Sequence, residues 1–181
     1  LTINIVSTHE VRYKPGSPLS PIIADLIRRA VDDCNIPLLG ISVGVAGVVR
    51  DNRVVSSTVV NIDTNEDICR ELNTEFNVSV FMSNSSSLIA YAEKEFGKSG
   101  ALNLISVDIS DGVGAAIVTD GHIFTGATGL AGEFGHLSVD YKGERCSCGS
   151  FGCLETVVSV PAILKTAKEK LGIDAAALFD L

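Results

Sequence analysis

Gly132-Glu133-Phe134-Gly135-His136 is followed, after a short interval, by Cys146-Ser147-Cys148-Gly149-Ser150-Phe151-Gly152-Cys153-Leu154-Glu155. Three of the chain's five cysteines fall in this run, and one of its three histidines lies just upstream. Clustering of this kind asks for a metal. Zn²⁺ favours four tetrahedral ligands drawn from thiolates and imidazoles, and His136, Cys146, Cys148 and Cys153 supply a Cys₃His set. Gly149 and Gly152 allow the tight backbone path that returns the last cysteine to the first two. Four protein ligands leave no open position, so the site is expected to be structural rather than catalytic. A disulfide with spare thiols is the alternative. Cys146 and Cys148 are too close in sequence for an easy bridge, and the first residues show no charged-then-apolar leader, so an oxidising compartment is not expected. Cys34 and Cys69 fall in apolar helical patterns and read as buried, inert thiols.

The rest of the chain is read as the scaffold for this segment. Its 181 residues suit one domain or two small lobes, and a hydrophobic fraction of 46% supports a real core. A formal net charge of −8 argues against these residues themselves gripping a phosphate backbone. No apolar run is long enough to span a bilayer, so a cytoplasmic α/β protein is expected.

Alternation predicts a strand over Leu1–Tyr13, then a loop over Lys14–Ser20. Ser20-Pro21 reads as an N-cap followed by proline at the first helical position. Ile22, Ile23, Leu26, Ile27, Ala30 and Val31 form one stripe, predicting a helix over Pro21–Cys34. The continuous apolar run Leu38–Val45, closed by Ala46-Gly47, has the pattern of a buried parallel strand. Strands are predicted at Val54–Val60 and Val78–Met82, with helices at Asn65–Phe76 and Ser86–Phe96. The break at Gly97–Gly100 separates two lobes, 1–98 and 99–181. In the second, Leu102–Ile109 is a strand, and Ala115–Thr119 and His122–Phe124 form a hairpin around Asp120-Gly121. Pro161–Leu171 is a helix closed by Gly172. Asp174–Leu181 begins another helix that stops in mid-pattern, as expected of a fragment.

Polar residues recur where strands end, which is where ligands gather in open α/β sheets. Asn84 and Ser85 follow one strand, Gly47 another and Asn61 a third. Amides and carboxylates together suit sugar hydroxyls, which both donate and accept. Glu133, His136 and Glu155 join them from the metal side. The alternative is that Asn84 and Ser85 only cap the next helix. Asp111-Gly112-Val113-Gly114 reads as a tight hairpin turn. Its glycines suit a phosphate cradle, but Asp111 would repel the phosphate. His9 and His122 show no partner and read as surface or turn residues.

The motifs at 132–136 and 146–155 resemble those of the ROK family of sugar kinases and sugar-responsive transcriptional repressors. The resemblance extends over Gly40–Gly47, Asn84–Glu93 and Leu104–His136. It implies the actin-like ATPase (ribonuclease H-like) fold, two α/β lobes with a sugar in the cleft, here incomplete at both ends, and a homodimer or tetramer. Carried over position by position, the family's structural zinc ligands fall on His136, Cys146, Cys148 and Cys153. Its sugar contacts fall on Asn84, Glu133, His136, Glu155, Gly47 and Asn61.

The departures from the family's kinases lie in one mechanism. Those kinases carry Asn-Asp, with the aspartate as general base; this chain carries Asn84-Ser85. A serine hydroxyl does not accept a proton at neutral pH as a carboxylate does. Asp111 stands where the family's phosphate hairpin has a small or hydroxyl residue, and an Asp-x-Gly-Gly-Thr segment is not found in residues 1–181. The resemblance therefore implies the effector-sensing, sugar-binding part of a transcriptional regulator, inactive as a kinase. DNA would be reached only through a winged helix-turn-helix outside these residues. The competing expectation is a fragment of an ATP-dependent hexose or N-acetylhexosamine kinase.

Overall fold

A computed structural model describes residues 4–34, 36–57, 62–98 and 100–172. The backbone divides into two compact units, Leu1–Ser85 and Ser86–Leu181. The glycine break at 97–100 marks the far end of a helix, not this division. That helix belongs by packing to the second unit, because its buried Ala90 sits among Ala116 and Val118.

In the first unit, α1 (Leu19–Cys34) precedes β1 (Gly40–Val45), the hairpin β2 (Val48–Arg50) and β3 (Arg53–Ser56), α2 (Ile68–Phe76) and β4 (Ser79–Asn84). β1 and β4 pair in parallel, Gly40 opposite Ser79 and Val45 opposite Asn84. Parallel pairing matches the reading of 38–45, but burial alternates along β1, so only one face is covered. That face meets α1 and α2 through Ala24, Val45, Val54, Ile68, Cys69, Leu72, Val80 and Met82. Leu72 is 1% exposed.

Several elements differ from the sequence expectation. Residues 4–14 form no strand; weak alternation does not hold an extended segment without a partner to complete its ladder. α1 starts at Leu19, ahead of the expected Ser20 cap. The Glu66 carboxylate does the capping instead, accepting the Leu19 N–H at 3.0 Å, the Ser20 N–H at 2.6 Å and the Ser20 hydroxyl at 2.7 Å. A carboxylate there satisfies free N–H groups and favours the positive end of the helix dipole. The β2–β3 hairpin was not expected. It turns on Asp51 and Asn52, both at positive φ (51° and 58°), the backbone of a type I′ turn. Asn52 Oδ1 then accepts the Met82 N–H at 2.9 Å, on β4. Asp67 caps α2 through the Arg70 N–H and also receives Arg53 at 2.7 Å.

The second unit opens with α3 (Ser85–Phe96). An antiparallel sheet follows, β5 (Leu104–Ile109), β6 (Val113–Thr119) and β7 (His122–Phe124), in that spatial order. The β6–β7 turn is the expected Asp120-Gly121, at φ 51° and 78°. α3 covers one face of the sheet through Ala90, against Ala116, Val118, Leu104 and Ile123. A 3₁₀ turn at Phe134–His136 leads into the cysteine segment, and α4 (Glu155–Val158) and α5 (Val160–Leu171) close the described chain. α5 has Ser159 as N-cap and Gly172 in the left-handed conformation at its end. The expected helix at 174–181 lies outside the described residues.

Among the described residues, no helix is long and apolar enough to cross a membrane.

Candidate functional site

The Gly-Glu-Phe-Gly-His motif packs on the backbone of β6, and its glycines are the reason it can. A Cβ on Gly132 would overlap the Ala115 carbonyl, and one on Gly135 would overlap the Val113 carbonyl. Both glycines are buried. Glu133 and His136 lie on this bound turn, with Glu133 Oε2 3.9 Å from His136 Nε2.

The other ring nitrogen faces the cysteines: His136 Nδ1 lies 3.5 Å from Cys146 Sγ. Cys148 Sγ lies 3.6 Å from Cys153 Sγ, and the four donor atoms are all within 4.8 Å of one another. Zinc bonds of about 2.3 Å to sulfur and about 2.0–2.1 Å to nitrogen give tetrahedral edges of roughly 3.5 Å (S···N) and 3.8 Å (S···S). The donor set and its spacing therefore fit a Zn²⁺-sized ion, and His136, Cys146, Cys148 and Cys153 could hold a metal.

The loop geometry follows from the glycines expected to permit it. Gly149 closes the turn with its N–H on the Cys146 carbonyl, and the Cys146 N–H returns to the Ser150 carbonyl. Gly149 and Gly152 both have positive φ (93° and 59°), and a Cβ on Gly152 would overlap the Asp140 carbonyl.

Burial divides the thiols. Cys153 and Cys146 are buried and Cys148 is exposed. Burial pushes the Cys146 thiol up, but hydrogen bonds from Cys148, Ser147 and His136 outweigh it and bring it from 9.0 down to about 7. For Cys153, burial and the neighbouring Cys148 and Cys146 act together, and the thiol is pushed up to about 12. Without a metal this cluster holds protons unevenly.

Glu155 begins α4, and its Oε2 accepts the Val113 N–H at 3.0 Å while Oε1 lies 4.0 Å from Cys146 Sγ. The sequence reading missed this link. The tight β5–β6 turn expected there is present, with Ile109 opposite Val113, but neither Gly112 nor Gly114 has positive φ. Each clears a side chain: a Cβ on Gly112 would come 2.7 Å from Glu155 Oε2, and one on Gly114 would overlap the Ser86 hydroxyl. The signal was present as two glycines flanking one apolar residue, but its partners are distant in sequence.

The remaining candidates belong to the first unit. Asn84 Nδ2 donates to the Gly47 carbonyl at 2.8 Å, and the Ser85 hydroxyl reaches the Val45 carbonyl at 3.4 Å. Both residues therefore tie the end of β4 to the end of β1, where the cap reading had them serve only the next helix. Gly47 passes so close to the Ser56 carbonyl that a Cβ would approach to 2.5 Å. Asn61 lies outside the described residues. Two expectations elsewhere are corrected. His9 Nε2 pairs with Asp33 at 2.8 Å, and Cys34 is only half-buried, although Cys69 is buried with its thiol pushed up by that burial.

A family model described as "ROK family" matches residues 2–180. The chain belongs to the ROK family. The xylose repressor of Bacillus spizizenii is 35% identical over 173 residues, 93% of this chain and 45% of that protein. The crystal structure of a ROK family transcriptional regulator, a homologue of the E. coli Mlc protein, matches with a TM-score of 0.71 at 30% identity. It covers 88% of this chain and 42% of the other. A ROK family glucokinase from Streptomyces griseus, in complex with glucose and AMPPNP, matches with a TM-score of 0.73 at 27% identity, over 86% of this chain and 51% of the other. The chain spans about half the length of these ROK relatives or less. Its fold is the α/β, actin-like ATPase fold of the ROK structures. Repressors and kinases both stand among its relatives.

Proposed function

We propose that the chain is the sugar-binding, effector-sensing part of a ROK-type transcriptional regulator and does not transfer phosphate. The observation that carries this is Ser85, in the position of the family's general base, with its hydroxyl on the Val45 carbonyl. Proton abstraction from a sugar hydroxyl needs a base whose pKa is near the working pH, and a serine hydroxyl is far above it. Asp111, exposed on the β5–β6 turn, disfavours phosphate there. The similarity to the xylose repressor supports the same reading, and a pentose or hexose is the ligand class it suggests.

The proposed sugar contacts are Glu133, His136 and Glu155 in the second unit, and Asn84, Gly47 and Asn61 in the first. Zn²⁺ is the proposed metal, and when bound it would serve as a structural Lewis acid that fixes its ligands. With Nδ1 directed to the cysteines, His136 keeps its proton on Nε2. A sugar hydroxyl near the 3.9 Å gap between Nε2 and Glu133 Oε2 accepts from the imidazole and donates to the carboxylate. Sugar binding would then shift the balance between conformations of differing DNA affinity. The DNA contact belongs to a segment outside residues 1–181, and a cytoplasmic homodimer or tetramer is the proposed assembly.

The test is ATP-dependent phosphorylation of a pentose and hexose panel by the full-length protein, beside calorimetry with the same sugars. Sugar binding without turnover is expected. Turnover in the ordinary kinase range, roughly 1–100 per second, would overturn the regulator reading in favour of a sugar kinase, which the similarity to the Streptomyces griseus glucokinase keeps as the second reading.

A further inference from the structure

We propose that Glu155 is a positioning residue through which the metal-binding segment sets the conformation of the Ser110–Gly112 turn. The inference goes beyond the sugar contact that the family resemblance assigns to this glutamate, and only its chelation arm rests on the metal reading.

Val113, the first residue of β6, is gripped from both sides by residues adjoining metal ligands. Its N–H donates to Glu155 Oε2 at 3.0 Å, and Glu155 lies just after Cys153. Its carbonyl abuts Gly135, which has no room for a Cβ and immediately precedes His136. Cys153 Sγ also reaches the His136 carbonyl at 3.4 Å, and the Leu154 N–H donates to the Leu137 carbonyl at 2.9 Å, so the two jaws are joined at their bases. Holding His136 and Cys153 on one ion therefore fixes the distance between the jaws.

A second line reaches the same turn. The Val160 N–H, at the start of α5, donates to the Ser110 carbonyl at 2.8 Å. Between these anchors lies Gly112, where a Cβ would come 2.7 Å from Glu155 Oε2 and push the carboxylate off its donor. The turn, closed within itself by the Ser110 N–H on the Gly112 carbonyl at 2.9 Å, carries the exposed Asp111, and the two outside anchors position it as a unit. A carboxylate accepting a backbone N–H is a strong, charge-assisted hydrogen bond, and its loss frees the turn while the β5–β6 ladder remains.

The experiment is residue-resolved amide exchange at Val113 in the full-length protein, with bound metal measured by elemental analysis on the same samples. Chelation of the wild type is expected to speed exchange at Val113 by about tenfold or more while the Leu72 amide is unchanged. Glu155→Ala should show that fast exchange with metal still bound, and chelation should add little. Glu155→Gln keeps an acceptor oxygen at the same reach and should restore slow exchange, which a merely misfolded segment would not. Gly112→Ala should reproduce the alanine variant by displacing the carboxylate from the opposite side. Wild-type exchange at Val113 in Glu155→Ala would overturn the proposal, as would chelation of a metal-bearing protein that leaves Val113 unchanged. A protein found to carry no metal would remove the metal reading alone, and the Ala and Gln variants would still decide the role of Glu155.

Discussion

The two units are held together by different physics. The first closes over a cluster of large side chains, with Leu72 at 1% exposure and Ile68 at 2%. The second has a smaller cluster of Ala90, Ala116 and Val118. Beyond its sheet, the stretch from Gly132 to Glu155 is organised by backbone contact at glycines and by four potential metal ligands. Apolar burial is distributed and tolerates partial loss. A cluster of four donors that could hold one metal is concentrated at a single point.

That contrast can be broken most severely by removing the metal. Structural zinc sites contribute apparent free energies of about 10–16 kcal/mol, so chelation is expected to disorder residues 132–155 while the first unit persists. Amide exchange mapped along the chain checks this, and equal loss in both units would erase the contrast. Next in size is Leu72→Ala, expected to destabilise the first unit by about 2–5 kcal/mol in denaturant titration, with metal stoichiometry unaltered. Protons sharpen the comparison from the other side. Metal uptake must displace the proton from Cys153, whose thiol is pushed up to about 12, so affinity should rise with pH. Competition against a chromophoric chelator at about pH 6, 7 and 8 measures it; affinity flat across that range would mean the thiols are not the ligands. Smallest are two of the helix caps, one taken from each unit. Asp67→Ala and Ser159→Ala should each cost about 1 kcal/mol, each visible in the melting of its own unit.

How legible these regions were in the sequence follows the same division. The cluster that could hold a metal was legible because thiolates and an imidazole at close spacing have few other uses. The Asp120-Gly121 hairpin and the close of α5 at Gly172 were legible because local chemistry dictates them. Three features were not. Glu66 caps α1 from 46 residues away, and no local pattern announces a cap supplied from outside the helix. Asp51-Asn52 makes a type I′ turn without glycine, and so carried a weak signal. The Asp111–Gly114 hairpin turn was legible, but not that Gly112 and Gly114 also provide clearance for Glu155 and Ser86. In the candidate site, the grouping of His136 with the cysteines was readable. The bond from Glu155 to Val113 was not, since it joins residues 42 positions apart.

The hydrogen bond from the Met82 N–H to Asn52 bears on how this chain behaves in company. Among the described residues β4 ladders with β1 alone, and a strand margin without a partner can recruit strands from other molecules. A hairpin tip whose amide oxygen already occupies that donor acts as a stopper, denying an incoming chain its first rung. The unexpected β2–β3 hairpin thereby covers one rung of that margin.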